Sequence, residues 1–358
     1  MRLPWIDRVD VSSYGCIKQA SAELAPLHAL IGPNDSGKST LLRALRTAAQ
    51  FGAGRFSVTP AGTTTPFEPW LTAGSRVCLH AADIAYQVSV SPESEVVEAV
   101  EAGQTAATSS GTRAWNRPGI LQGGSVAGSA ELAARAGALF STPTMVRLDP
   151  DSLREASDLI PESSGIAFTN ERGLGLAGVY DAIQNRDIDA FQDIQREVRD
   201  LFPSVAKLRL MVEGSKKTMA VTLVDGQHVG APSMSEGLLY FLAFAALKHV
   251  TASRLFLVEE PENGLHPARI ADVMRALRKM SETAQVVIAT HSPLVVNELA
   301  GNEVSVVTRS GNEGTRVTLL EAVPGFADAA KVYLPGEFWV SYADGRGEQP
   351  LLEGTPRV

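Results

Sequence analysis

The chain has 358 residues, 44% of them apolar and 20% charged, the balance of a soluble globular protein with a substantial core. Its net charge of −8 argues against a broad, non-specific hold on nucleic acid but leaves room for a local basic strip. Cys16 and Cys78 are the only cysteines, with no CxxC and no Cys/His cluster, so no metal framework is encoded and a reducing compartment is expected.

The first residues, MRLPWIDRVDVSSYG, hold no apolar stretch of signal-peptide length. In LHALIGPNDSGKSTLLRALRTAAQ (27–50) an apolar strand enters a glycine-rich turn, and a helix follows with Leu41, Leu42 and Leu45 on one face. Residues 76–90 read as strands. Residues 101–130, rich in Gly, Ser, Thr and Ala without a clear period, read as a loop or insertion, with 95–140 expected to be flexible. Order returns at 188–202, where Ile188, Phe191, Ile194, Val198 and Leu201 fall at helical spacing. Strands are expected at 207–212 and 218–224, with a tight turn at Asp225-Gly226.

An apolar helix follows over 235–250; its core GLLYFLAFAAL (237–247) is the longest apolar run and too short to span a bilayer. Strand 254–258 leads into EEPENGLHP, and 268–280 is an amphipathic helix through Ile270, Val273, Met274 and Leu277. Strands at 285–289 and 303–308 complete the pattern. Alternating strands and helices at both ends of the chain predict an α/β core with a largely parallel sheet, elaborated in the middle. A cytoplasmic protein without membrane segments is expected.

GPNDSGKS (32–39) fits the pattern G-x-x-x-x-G-K-[ST] between a strand and a helix. Gly32 and Gly37 tolerate backbone angles that let loop N–H groups turn inward around a triphosphate, and the helix adds its positive end. Lys38 is placed to reach the β- and γ-phosphates and Ser39 to ligate Mg²⁺, with Asn34, Asp35, Ser36, Gly37 and Thr40 completing the nucleotide-binding loop. ATP and Mg²⁺ are the expected cofactors.

Glu259 and Glu260 stand at the C-terminal end of a buried strand, where α/β proteins place their ligands. Adjacent strand residues point to opposite sides, so Glu259 is expected to face Mg²⁺ and Ser39, and Glu260 the γ-phosphate and its attacking water. The plain alternative is a solvated acidic strand end. His291, just past the next strand, could sense the γ-phosphate, or could simply enter a helix that Ser292 caps and Pro293 begins.

These residues resemble the ABC-class ATPases, in the RecF/SMC-like branch and its stand-alone OLD-like and AAA_21-type members. GPNDSGKST resembles the Walker A loop, EEPENGLHP the Walker B and D-loop region, ATHSP the switch histidine, and APSMSEGLLYFLAFAALK (231–248) the signature helix. RLDPDSL (147–153) and RGLGLAGVYDAI (172–183) resemble stretches between the two halves. The resemblance implies an ABC-type head: a P-loop core with a mixed or parallel sheet, a signature-helix lobe and a middle insertion. Expected divisions are 1–95 with Walker A, 96–200 as insertion and helical region, and 201–358 with the signature helix, Walker B and switch histidine.

It also implies a homodimer that sandwiches ATP, with Ser235, Glu236 and Gly237 binding nucleotide across the interface. The sequence departs from the family in several places: Glu259 replaces an aspartate, Glu236 a glycine, and His266 an acidic D-loop residue. A Q-loop glutamine is not identifiable, and Tyr14 is either an adenine stacker or an ordinary core or surface tyrosine. No heptad pattern of a coiled coil is read in these residues, and no DxD-type acidic cluster of a TOPRIM nuclease after residue 308. The implied function is an ATPase that controls a separately encoded, nuclease-like effector in a bacterial nucleic-acid-directed system such as anti-phage defence. The alternative is a RecF-like DNA-repair ATPase touching DNA or RNA phosphates through Lys207, Arg209, Lys216 and Lys217, or Arg275, Arg278 and Lys279, sets that also read as solvated faces. A membrane-transporter subunit fits these motifs poorly.

Overall fold

A computed structural model describes residues 6–52, 71–91, 96–111, 127–140, 143–250, 253–310 and 314–343. The chain forms two compact units: Met1–Pro143 with Arg254–Leu257 and Ala284–Val358, and Thr144–Ser253 with Val258–Thr283.

The first unit opens with β1 (Arg8–Tyr14), β2 (Ile17–Glu23), β3 (Leu27–Ile31) and α1 (Lys38–Gly52). Next come β4 (Leu71–Ala81), β5 (Ile84–Val90), β6 (Val96–Ala102), β7 (Thr105–Gly111), β8 (Ala127–Gly128) and α2 (Ala130–Leu139). One sheet, β2-β1-β4-β5-β6-β7-β8, is antiparallel throughout. Strands β6 and β7 correct the expected loop at 101–130. They form a hairpin whose register joins Ala102 to Thr105, and β6 pairs with β5 from Ala85↔Glu101 to Val90↔Val96. Their residues lack strand alternation, although β6 carries the strand-favouring Val96, Val97 and Val100; pairing with neighbours sets the register, with Val100 and Ala107 fully buried. The rest of that loop, 112–126, lies outside the described residues.

In the second unit, β9 (Thr144–Val146), α3 (Pro150–Arg154), α4 (Leu176–Arg186) and α5 (Ile188–Leu201) precede β10 (Val205–Glu213), β11 (Lys216–Leu223), β12 (His228–Gly230) and α6 (Glu236–Leu247). The small sheet β10-β11-β12 is antiparallel and packs against α4 and α5. Of the apolar stripe on α5, Phe191, Ile194 and Val198 are buried, while Ile188 in the first turn is exposed. Helix α6 buries every residue from Leu238 to Leu247, and Tyr180 of α4 donates to the Leu242 carbonyl at 2.9 Å.

Strand β13 (Leu255–Glu259) starts in the first unit and ends in the second, which also holds α7 (Pro267–Met280). The chain then returns to the first unit for β14 (Gln285–Thr290), α8 (Pro293–Val296), β15 (Val304–Ser310), β16 (Gly314–Leu319), α9 (Phe326–Ala329) and α10 (Pro335–Ala343). Its second sheet there runs β16-β15-β3-β14-β13. β3 lies between parallel neighbours, β14 on one side and β15 on the other. β3, β13 and β14 are buried at every position, the uniform apolar pattern of strands covered on both faces. Helix α1 packs against β1, β4 and β5 of one sheet and β14 of the other. Leu41, Leu42, Ala44, Leu45, Ala48 and Ala49 are therefore all fully buried, a wider apolar surface than one face. No described helix is long and apolar enough to cross a membrane.

Candidate functional site

The parallel register decides which residues leave the first unit's second sheet together. Ile31 pairs with Thr290 and with Val306. Gly32 and His291 therefore follow from neighbouring C-terminal strand ends, the position at which open α/β sheets bind ligands, with Val307 of β15 level with them.

The loop after β3 is held in an unusual shape. Asp35 has φ +65° and Gly37 φ +110°, both left-handed. A Cβ at Gly32 would come within 2.1 Å of the Val307 carbonyl oxygen, so only glycine fits beside β15. Lys38 folds back over the loop and its Nζ donates to the carbonyls of Gly32 and Pro33, both at 2.7 Å. α1 starts at Lys38, and a bond from the Leu41 N–H to the Gly37 carbonyl closes its first turn. The N–H groups of a first helical turn lack intrahelical acceptors, which makes this helix end an anion site. Asn34, Asp35 and Ser39 are exposed, and Ser36, Gly37, Lys38 and Thr40 are buried. The Ser36 hydroxyl is buried with no hydrogen-bond partner among the described residues.

Three braces were not visible in the motif. Thr315 Oγ1 donates to the Ser36 carbonyl at 3.0 Å, Arg309 reaches the Asp35 carbonyl at 3.5 Å, and Cys16 Sγ lies 3.3 Å from Thr40 Oγ1. Thr315 and Arg309 come from the β15–β16 hairpin, far along the chain, and no local spacing announces their return to this loop. Tyr14 is fully buried and its hydroxyl is 2.9 Å from Thr47 Oγ1, so it is a core tyrosine and not an adenine platform. His291 is exposed. Ser292 holds the cap position of α8 without a side-chain capping bond; its N–H is taken by Thr290 Oγ1 at 2.9 Å.

In the second unit the two carboxylates separate for a different reason than strand alternation. β13 ends at Glu259, and Glu260 has left the strand in a left-handed conformation at φ +47°. That angle is strained for a non-glycine residue and marks positions that surrounding structure over-determines. Glu260 Oε2 accepts from Asn263 Nδ2 at 2.7 Å, and the Asn263 N–H bonds the Glu260 carbonyl at 3.0 Å. The Glu259 side chain is 6% exposed, with Arg147 Nε 3.5 Å from its Oε2. Its Oε1 has no hydrogen-bond partner among the described residues.

Ser235 caps α6 by accepting the Leu238 N–H at 3.4 Å. Ser235 and Glu236 are exposed, and a Cβ at Gly237 would meet nothing within 4 Å. Gly264 (φ +70°) lies against the Tyr240 ring, 2.3 Å from where its Cβ would stand, which ties the ENGLH segment to α6. His266 caps α7, its Nδ1 accepting the Ala268 N–H at 3.2 Å. Lys217, one of the expected phosphate contacts, is paired with Asp181, and Arg275 with Asp272 at 3.1 Å.

Among the described residues no three His, Cys, Asp or Glu side chains cluster as a self-sufficient metal cage. Mg²⁺ needs no such cage when phosphates and water complete its shell, and a buried carboxylate with an unmatched oxygen suits it. The donor set therefore fits Mg²⁺ delivered with a nucleotide.

The family described as "AAA domain, putative AbiEii toxin, Type IV TA system", AAA_21, matches residues 27–297. The chain belongs to the AAA_21 family. The matched span holds the phosphate loop, α6, both carboxylates and His291. Among solved structures, the Smc head bound to the C-winged helix domain of ScpA aligns at TM-score 0.57 and 15% identity, over 88% of this chain and 98% of that one. The Smc head domain with an extended coiled coil, bound to the C-terminal domain of ScpA derived from Pyrococcus furiosus, aligns at TM-score 0.53 and 14% identity, over 92% and 100%. At these identities the likeness is one of fold. No curated protein sequence matches the chain. This AAA_21 member thus shares the fold of these Smc heads, with the expected α/β architecture of mixed parallel and antiparallel sheets.

Proposed function

We propose that the chain binds Mg²⁺·ATP, dimerises around it and hydrolyses it. The observation that carries this reading is the phosphate loop: two left-handed residues and a buried lysine at the start of a buried helix. Lys38 is held by the Gly32 and Pro33 carbonyls and would exchange them for phosphate oxygens, a stronger charge-assisted contact. Asn34, Asp35, Ser36, Gly37 and Thr40 complete the cradle. Ser39 and Glu259 would hold Mg²⁺, which supplies charge neutralisation at the phosphates. Glu260 would orient the attacking water and take its proton. The water oxygen then bonds to the γ-phosphorus, the bond to the bridging oxygen breaks, and ADP leaves with phosphate. His291 would hydrogen-bond the γ-phosphate, and Ser235, Glu236 and Gly237 would meet the nucleotide of a second copy.

The dimer is proposed to control a separate, nuclease-like effector in a bacterial nucleic-acid-directed system. The AAA_21 family description, "AAA domain, putative AbiEii toxin, Type IV TA system", is compatible with that direction and names neither an effector nor a nuclease. A RecF-like role on DNA itself is the second reading, supported by exposed Lys207 and Arg209 on β10. The test is to purify Glu260→Gln from its native host with ATP. The expected result is an ATP-stabilised dimer or larger assembly with a second protein, and no nucleotide binding in Lys38→Ala. A monomer at every ATP concentration would overturn the sandwich, and salt-sensitive DNA affinity of the isolated protein would favour the second reading.

A further inference from the structure

Arg147 belongs to none of the nucleotide motifs, yet it is the ion-pair partner of Glu259. It is the first residue beyond β9, and its main chain is anchored: the Arg147 N–H donates to the Glu171 carbonyl at 2.7 Å, and the Asp149 N–H to the Arg172 carbonyl at 3.1 Å. The side chain is not confined in the same way, being 65% exposed, whereas that of Glu259 is 6% exposed. A buried carboxylate requires compensating charge or hydrogen bonds. Here the compensation is partial: one contact from Nε at 3.5 Å to Oε2, with Oε1 left without a hydrogen-bond partner among the described residues. A tight arginine–carboxylate pair is bidentate and short, with both oxygens engaged. This pair is a loose hold by a cation that can return to solvent at little cost.

We propose that Arg147 is a positioning residue for Glu259: it compensates the carboxylate while no nucleotide is bound, and Mg²⁺ arriving with ATP takes its place. Two cations at one carboxylate repel each other, so the guanidinium and the metal exclude one another. Arg147 thereby sets how much Mg²⁺ the protein needs before nucleotide binds, and it keeps the buried carboxylate from standing uncompensated between turnovers. The inference rests on the reading of Glu259 as the Mg²⁺-side carboxylate.

The test measures, on the full chain, the Mg²⁺ concentration giving half-maximal binding of a fluorescent ATP analogue, together with the melting temperature of the nucleotide-free protein. Arg147→Gln is expected to lower the half-saturating Mg²⁺ concentration about five-fold, the scale of one partly exposed ion pair, and to lower the nucleotide-free melting temperature. Arg147→Lys, which keeps the charge, should restore the wild-type Mg²⁺ dependence; a role in shape alone would not be rescued this way. Arg147→Met provides a second neutral variant should Arg147→Gln fold poorly. Glu259→Gln separates the two ideas. If it raises the Mg²⁺ requirement while Arg147→Gln leaves it unchanged or raises it, the counter-ion role is overturned and the metal-side reading stands. If Glu259→Gln leaves the requirement unchanged, the metal-side reading fails and the inference falls with it.

Discussion

Thr315 Oγ1 donates a 3.0 Å hydrogen bond to the Ser36 carbonyl, and the same oxygen lies 2.7 Å from where a Cβ at Gly37 would stand. A side chain from β16 thus props the phosphate loop beside its left-handed glycine. Removing the donor in Thr315→Val leaves a buried carbonyl unsatisfied, a cost of about 1–3 kcal/mol. The expected result is a rise in KM for ATP of roughly ten-fold with kcat changed less than about two-fold, and retention of affinity in Thr315→Ser. An unchanged KM in Thr315→Val would show that the loop holds itself.

Glu260 offers a separation of stability from activity. Its φ of +47° disfavours any side chain, so Glu260→Gly should relieve strain of about 1 kcal/mol and raise the melting temperature by a few degrees, less whatever the lost Asn263 contact contributes. ATP turnover should fall at least about a hundred-fold in both Glu260→Gly and Glu260→Gln. A variant that melts higher yet turns over normally would remove Glu260 from the proposed chemistry.

Gly264 and Gly237 form a paired test of the α6 region. At Gly264 a Cβ meets the Tyr240 ring at 2.3 Å and the backbone is left-handed, so Gly264→Ala should destabilise by about 2 kcal/mol in urea unfolding. At Gly237 a Cβ meets nothing within 4 Å, so Gly237→Ala should leave folding intact. If Gly237 meets nucleotide across a dimer, that variant loses ATP-dependent dimerisation in light scattering; if dimerisation is retained, the glycine has no such role.

His28 predicts an acid limit. It is fully buried in β3, with Nδ1 3.3 Å from the Ala25 N–H and Nε2 3.0 Å from Ser305 Oγ. Burial pushes its pKa down from 6.5 to about 4, with Glu303 opposing weakly. Between these values the unfolded chain binds the proton and the folded chain does not, so stability falls as pH drops from about 6.5 toward 4. The loss approaches about 3 kcal/mol at the lower end. Urea midpoints across this window should show the slope in wild type and lose it in His28→Gln. The same slope in both would place the acid-sensitive group elsewhere.

Much of the head could be read from local spacing. The strand–loop–helix at 27–50, α5, the hairpin of β10 and β11, α6, β13, α7, β14 and β15 all follow from apolar period and turn residues. β6 and β7 could not be read this way, because neither alternates apolar and polar residues, Ala, Ser and Gly dilute the threonines of β7, and the pairing of β6 with β5 and of β7 with β6 is a tertiary fact. The carboxylates were recognisable as a pair, but the backbone turn that separates them was not. Glu260 is strained by its surroundings, and residue type does not encode that strain.

Local spacing was enough to lay out the chemistry on offer: a glycine-spaced loop with Lys38 and Ser39, two acids ending a buried strand, and a histidine after the next one. Those signals are local, since glycine angles, helix starts and strand ends are properties of a few neighbouring residues. What holds them came from the fold: Val307 beside Gly32, Thr315 and Arg309 on the phosphate loop, Tyr240 against Gly264, and Arg147 on Glu259. Those partners are distant in the chain. Packing and hydrogen bonding between remote segments depend on how sheets and helices close, which no short window of sequence specifies.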